Sequence, residues 1–200
     1  MLNDFFESLH FKSNYNIEIL CVKKDEVNAY AMPGGFIVVY EGILKKKKSE
    51  EELAGLLAHE FSHIKLKHTL KSTFNNIGFS ALLQLVFGGF DESLIGRLGN
   101  QTEQLRQLHY SRTLEQEADE NGFNLMKEQS LDPNGMINLF ERLKAESSNN
   151  VPSIISTHPL PNERISYIQK LINNDRYAVK KNNKLEIIFE QMKSLNEHSN

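Results

Sequence analysis

His59-Glu60-Phe61-Ser62-His63 decides how this chain is read. Leu53, Leu56, Leu57, Phe61 and Ile64 recur around it at helical spacing, and Ser49 followed three residues later by Glu52 is a capping-box signature. The pattern predicts a helix from about Ser49 to Thr69. Within it His59 and His63 stand one turn apart and project from one face. Two neutral imidazoles at about 2.0–2.1 Å can share one Zn²⁺, while Glu60 is turned slightly around the helix toward the coordination position left open. A carboxylate there takes a proton from a water that the metal acidifies, which makes Glu60 the candidate catalytic base. The competing reading is a helix that merely carries two histidines and a glutamate on its surface.

A catalytic zinc keeps three protein ligands, so a third donor has to come from elsewhere in the chain. The segment Tyr110-Ser111-Arg112-Thr113-Leu114-Glu115-Gln116-Glu117-Ala118-Asp119 is the best source. Glu115 and Asp119 are four residues apart on one helical face, and the small Ala118 allows close approach to the first helix. Glu115 is therefore the candidate third ligand, and Asp119 the acceptor for the outer N–H of a ligating histidine, which fixes that ring's tautomer. Glu117 points away and, like Glu120, reads as a solvated acid. Rotation at about 100° per residue puts His68 opposite His59, as a cation in the last turn. His109 falls well off the Glu115 face, and His10 and His198 lie near the chain ends without partners at ligand spacing.

The remaining elements read as follows. Ile17 to Val22 and Phe36 to Tyr40 flank the shorter Asn28-Ala29-Tyr30-Ala31 and the break Met32-Pro33-Gly34-Gly35, a small antiparallel sheet with a tight connection, in which the proline and paired glycines suit an edge strand or a bulge. The runs Lys45 to Lys48 and Glu50 to Glu52 cancel as a solvated junction. A second long helix is expected from near Gly99 to about Met126, a short one after Asp132-Pro133-Asn134-Gly135 through Phe140 and Leu143, and another after Pro159-Leu160-Pro161 through Ile165, Ile168 and Leu171. Leu185 to Phe189 is a further element of unassigned type. Cys21, the single cysteine, reads as a buried structural thiol.

At 200 residues the chain reads as one domain, 1–200. Its net charge of −3 provides no field for a phosphate backbone, so nucleic acid is not an expected partner. Met1 to Glu7 lacks the basic and apolar regions of a secretory signal. As it stands the chain reads as cytoplasmic, and as a cell-envelope protein, periplasmic or membrane-associated, if a signal or anchor has been removed. The apolar stretch Ile77 to Phe90 falls short of the roughly 20 residues that span a bilayer and reads as a mobile or amphipathic segment near the site, with membrane contact as the lesser alternative.

These blocks together resemble the HtpX, BepA and Oma type of zinc metallopeptidase, peptidase family M forty-eight, which includes the CAAX prenyl endopeptidases. The likeness covers roughly Val27 to Ile165, through Asn28 to Gly35, His59 to His63, Ser111-Arg112 to Ala118-Asp119, and His158-Pro159 with Arg164-Ile165. It implies an α+β, zincin-like fold, a minimal gluzincin whose small antiparallel sheet packs on the metal-binding helices, with one Zn²⁺ per chain on His59, His63 and Glu115 and with Asp119 as partner. It implies a peptide-docking edge strand that includes Ala31, Met32, Pro33, Gly34 and Gly35, where an extended polypeptide adds by main-chain hydrogen bonds. His158 and Arg164 match polar positions facing the metal cleft, where a donor stabilises the oxyanion of the tetrahedral intermediate. The implied activity is metalloendopeptidase cleavage of extended or unfolded polypeptides in protein quality control. Two rivals stand beside it: a latent zinc protein in which His158 closes the site as a fourth ligand, and a chaperone-like binding module that does not cleave. The chain departs from the family in showing neither the transmembrane pair of the HtpX type nor the C-terminal repeats of the BepA type.

Overall fold

The computed structural model of the chain describes residues 1–46, 48–72, 110–147, 152–159 and 162–197. The described elements, in chain order, are α1 (Leu2–Ser8), β1 (Glu18–Val22), β2 (Ala29–Met32), β3 (Phe36–Tyr40), α2 (Glu41–Lys46), α3 (Glu50–Lys65), α4 (Arg112–Glu128), α5 (Asn134–Ser147), α6 (Ser153–Thr157), α7 (Asn162–Asn174) and α8 (Asn183–Glu197). The segment Ile77 to Phe90, the expected helical turns from Gly99 to His109, and His198 lie outside the described residues.

Ser49 opens α3 as expected: its backbone is extended and its Oγ accepts the Glu52 N–H at 3.4 Å. The other half of the capping box is diverted, because the Glu52 carboxylate accepts from the Lys48 N–H at 3.4 Å and from Arg142 Nε at 3.1 Å. Every residue from Glu52 to Ile64 is buried, so α3 is enclosed on all sides rather than amphipathic. The packing comes from α4, α5 and β2. Glycine allows the closest approach: a Cβ on Gly55 would lie 3.0 Å from Met136 Cγ, and one on Gly135 would run into the Glu51 carbonyl. The helix stops at Lys65, short of Thr69, where Leu66 and Lys67 turn and Lys67 enters the left-handed region at φ 61.

The sheet differs from the expected antiparallel one. Its order is β1-β3-β2; β2 and β3 pair antiparallel, Ala29 with Val39 and Met32 with Phe36, but β1 runs parallel to β3, Glu18 with Phe36 and Val22 with Tyr40. The turn through Gly34 and Gly35, both at positive φ, folds β3 back into the space between the first two strands. Residues 23–28 need span only two inter-strand spacings, roughly 10 Å, to leave that space open. The outer edge of β1 is covered by Asn3 of α1, whose Oδ1 accepts the Ile19 N–H at 2.7 Å and whose Nδ2 donates to the Ile19 carbonyl at 3.1 Å.

One apolar cluster runs from Leu2 and Phe5 through Ile37, Leu53, Leu57, Phe61, Phe123 and Met136 to Leu185 and Phe189. The unassigned run Leu185 to Phe189 is helical, because Leu185, Phe189 and Met192 recur at i, i+4 and i+7 and turn one stripe onto that core, while Ile187 between them is exposed. Cys21 is exposed, contrary to expectation. It shares a sheet face with buried Ile19 but lies farther along the strand, at the rim of a surface groove with Met1, Leu44 and Met192. Among the described residues no helix is long and apolar enough to cross a membrane.

Candidate metal centre

Three separate parts of the chain converge at the middle of α3. The helix itself carries His59, Glu60 and His63; α4 brings Glu115 and Asp119; and the residue after α6 brings His158. His59, His63, Glu115 and His158 are all buried and present one donor atom each within 4.8 Å of one another. His59 Nε2 lies 3.1 Å from His63 Nε2, 3.2 Å from His158 Nδ1 and 3.4 Å from Glu115 Oε2. Glu115 Oε1 is 3.0 Å from His158 Nδ1 and 3.4 Å from His63 Nε2. Metal bonds of about 2.0–2.1 Å put tetrahedral donors about 3.3–3.4 Å apart, so these separations are those of a shared cation. A ring nitrogen has one lone pair or one N–H and cannot satisfy three such neighbours by hydrogen bonding. The donor set therefore fits a metal ion.

The carboxylates set the electrostatics. His59 Nδ1 faces Asp119 Oδ1 at 3.0 Å. Burial pushes the His59 pKa down, but Asp119 and Glu115 outweigh it and lift it to about 9, and the same negative surroundings favour a cation at its other edge. For His63 burial prevails and drives the pKa well below the ordinary value, which keeps the ring neutral as a ligand must be. Burial alone would raise Glu115, but His158 and Arg164 hold it well below the carboxylate range and so ionised. Arg164 of α7, 5% exposed, turns its guanidinium onto these acids rather than into open space. Nε and Nη2 donate to the two Asp119 oxygens at 2.7 Å each, and Nη1 donates to the Pro159 carbonyl at 2.8 Å and lies 2.6 Å from Glu115 Oε2. Its plane covers the Phe140 ring at 4.7 Å.

Glu60 is fully buried, and neither of its carboxylate oxygens has a hydrogen-bond partner among the described residues. His158 Nε2, likewise without a hydrogen-bond partner among the described residues, lies 3.5 Å from its Oε1. A small pocket beside Glu60 is lined by Leu56, Leu139, Phe140, Leu143 and Ile154 together with His59, His158 and Arg164, so apolar side chains form one wall and the candidate site the other. Ala31, Met32 and Pro33 are buried at the β2 edge of the sheet, with Gly34 and Gly35 in the turn that follows.

Two residues stand apart from expectation. His68 is fully buried, not a solvated cation: Nδ1 lies 3.2 Å from His63 Nδ1 and Nε2 lies 3.0 Å from Glu117 Oε2. A rotation of about 100° per residue holds only along an unbroken helix, and the left-handed Lys67 resets the phase just before His68. Glu117, expected to point away, reaches back to His68 with its side chain half exposed. Tyr110, unassigned from sequence, stacks on His63 at a centroid distance of 3.9 Å. Burial, with Glu60 and Glu115 nearby, lifts its pKa well above 10, so its hydroxyl stays protonated. The expected helix from Gly99 would contain this residue, but α4 begins only at Arg112 with Ser111 as its extended N-cap, which places Tyr110 ahead of it; its position in the segment that carries Glu115 is the only signal in the sequence.

The sequence profile of Peptidase family M48 matches residues 1–172. The chain is 29% identical over 150 residues to the metalloprotease YcaL of Escherichia coli (strain K12), an alignment covering 74% of this chain and 59% of that protein. It is 32% identical over 161 residues to the mitochondrial metalloendopeptidase OMA1 of Schizosaccharomyces pombe, covering 79% and 47%. To the beta-barrel assembly-enhancing protease of Yersinia pestis it is 28% identical over 156 residues, covering 72% and 32%. The chain thus spans less than two thirds of the length of each of these relatives.

Proposed function

Because this chain belongs to Peptidase family M48, we propose that it is a zinc-dependent endopeptidase that hydrolyses peptide bonds in extended or unfolded polypeptides during protein quality control. The observation that carries the reading is the buried quartet of donor atoms within 4.8 Å of one another, with the unpartnered Glu60 carboxylate beside it. His59, His63 and Glu115 hold the ion, and the two-nitrogen, one-carboxylate set is one used by catalytic zinc. When bound, zinc polarises the scissile carbonyl and acidifies water toward a pKa of about 7. Glu60 takes the proton from the attacking water as its oxygen adds to the carbonyl carbon, then delivers that proton to the departing amine nitrogen as the C–N bond breaks. Asp119 orients His59, and Arg164 holds Asp119 and Glu115 in place. An extended substrate adds along the outer edge of β2 at Ala31 and Met32, with Pro33, Gly34 and Gly35 at the end of the docking strand; β2 pairs with a strand on one side only among the described residues. Cleavage of an unfolded protein that is lost with a chelator and restored by zinc supports this reading; cleavage that survives metal removal contradicts it.

A second reading is favoured by one observation: His158 Nδ1 lies 3.2 Å from His59 Nε2 and 3.0 Å from Glu115 Oε1, close to the spacing of donors around one ion. With His158 as fourth donor the coordination sphere is closed, as in structural zinc sites, and the enzyme is latent until the loop after α6 moves. His158→Ala separates the roles. Raised activity at unchanged metal content marks a latch, and lowered activity marks an oxyanion donor.

A further inference from the structure

We propose that His68 and Glu117 are positioning residues that fix the tautomer of His63 and thereby set the affinity of the site for its metal. The inference rests on the metal site proposed above. His63 has two nitrogens with different neighbours: Nε2 faces the donor quartet, 3.1 Å from His59 Nε2, and Nδ1 faces His68 Nδ1 at 3.2 Å. His68 is fully buried, and its other nitrogen, Nε2, ends on Glu117 Oε2 at 3.0 Å.

The direction of every proton in this chain follows from its outer end. An ionised carboxylate only accepts, so His68 Nε2 carries the N–H that donates to Glu117. In a neutral His68 ring Nδ1 then holds the lone pair and accepts the His63 Nδ1–H. His63 is left with a bare Nε2, the lone pair a metal requires, aimed at His59 Nε2 and Glu115 Oε1. Reversing any link would put a proton on His63 Nε2 and remove a ligand. Tyr110 stacks on the His63 ring, so the plane of that ring is fixed as well as its tautomer.

The relay also explains why the two ligating histidines differ in their surroundings. His59 has a carboxylate, Asp119, directly behind it, whereas His63 reaches one only through His68. Glu115, Glu117 and Asp119 all belong to α4, so one helix supplies a ligand and the outer partner of each histidine on α3. The break at Leu66–Lys67 serves this purpose, because a continuous helix would carry His68 to the opposite side.

The test is zinc affinity, measured with Zn²⁺ against a chromophoric chelator, together with long-range ¹H–¹⁵N spectra of the zinc-loaded wild type. His68→Leu, which keeps an apolar fill and loses the acceptor, is expected to bind zinc about 10–100-fold more weakly. Glu117→Lys places a donor where an acceptor is needed and is expected to weaken binding about 10-fold, whereas Glu117→Gln, whose amide oxygen still accepts, stays within about 3-fold. In the spectra, His63 is protonated at Nδ1 and His68 at Nε2 only. Should His68→Leu not fold, Glu117→Lys decides, since that side chain is half exposed. Wild type that binds no zinc overturns the metal site itself. Wild type that binds zinc, with His68→Leu and Glu117→Lys within about 2-fold of it, or with a proton on His68 Nδ1, overturns the relay alone.

Discussion

Replacing Arg164 by methionine keeps the length of the side chain and removes its charge. Two fully buried carboxylates lose their common counter-ion: Asp119 loses two donors at 2.7 Å, and Glu115 a contact at 2.6 Å. Breaking a buried ion pair from one side costs about 3–5 kcal/mol, and the lost bond to the Pro159 carbonyl adds roughly 1 kcal/mol. His59 beside Asp119 and His158 beside Glu115 offset part of this, which leaves about 4 kcal/mol. For a chain of this size 1 kcal/mol moves Tm by roughly 2–4 °C, so thermal unfolding in the presence of a chelator is expected to show a loss of about 8–16 °C. Adding Asp119→Asn removes one of the stranded charges, and the double variant is expected to lose at least about 1.5 kcal/mol less than the sum of the single variants. The chelator separates the two roles: a residue that acts only on the oxyanion of a bound substrate contributes nothing to the stability of the metal-free, substrate-free fold. A Tm within about 2 °C of wild type, or strict additivity with Asp119→Asn, would refute the clamp.

Other consequences are checked as directly. Arg142→Ala strands the Glu52 carboxylate, 3% exposed at the start of α3, and is expected to cost about 3 kcal/mol in urea unfolding while leaving zinc affinity unchanged. Gly135→Ala drives a methyl group into the Glu51 carbonyl and separates α5 from α3, at an expected cost of about 1–3 kcal/mol by the same measurement. The depressed pKa of Glu115 makes it a source of stability that is complete above its unfolded value of about 4.3 and fades as pH falls from there toward the folded value. In chelator, the Tm advantage of wild type over Glu115→Gln is therefore expected to be widest near neutrality and to close below about pH 4.

Much of the candidate site is legible in the sequence because its information is local. The capping serine, the apolar spacing of α3 and the separations His59 to His63 and Glu115 to Asp119 all fall within single helices, where geometry follows from residue count. His68 departs from that count because one left-handed residue, Lys67, breaks it without a glycine or proline to announce the break. The Arg164 clamp was hidden for a different reason, since it joins α7 to α4 across 45 residues of sequence and no periodicity encodes such a partner. The parallel placement of β1 is equally non-local: the turn at Gly34 and Gly35 signals a hairpin but does not say which edge of β3 remains for β1. Cys21 shows how a strand's alternation gives the face and not the depth, because burial depends on what packs over that face at each position along the strand.

Zinc content and casein cleavage, measured side by side for wild type and Glu60→Gln, decide whether the buried donor quartet is a peptidase centre. One equivalent of zinc in both, with cleavage by wild type alone, is the predicted result, because Glu60 lies beside the donor quartet without belonging to it. Zinc in both with equal cleavage, or with cleavage by neither, would contradict the role given to Glu60, and the absence of zinc from both would contradict the site.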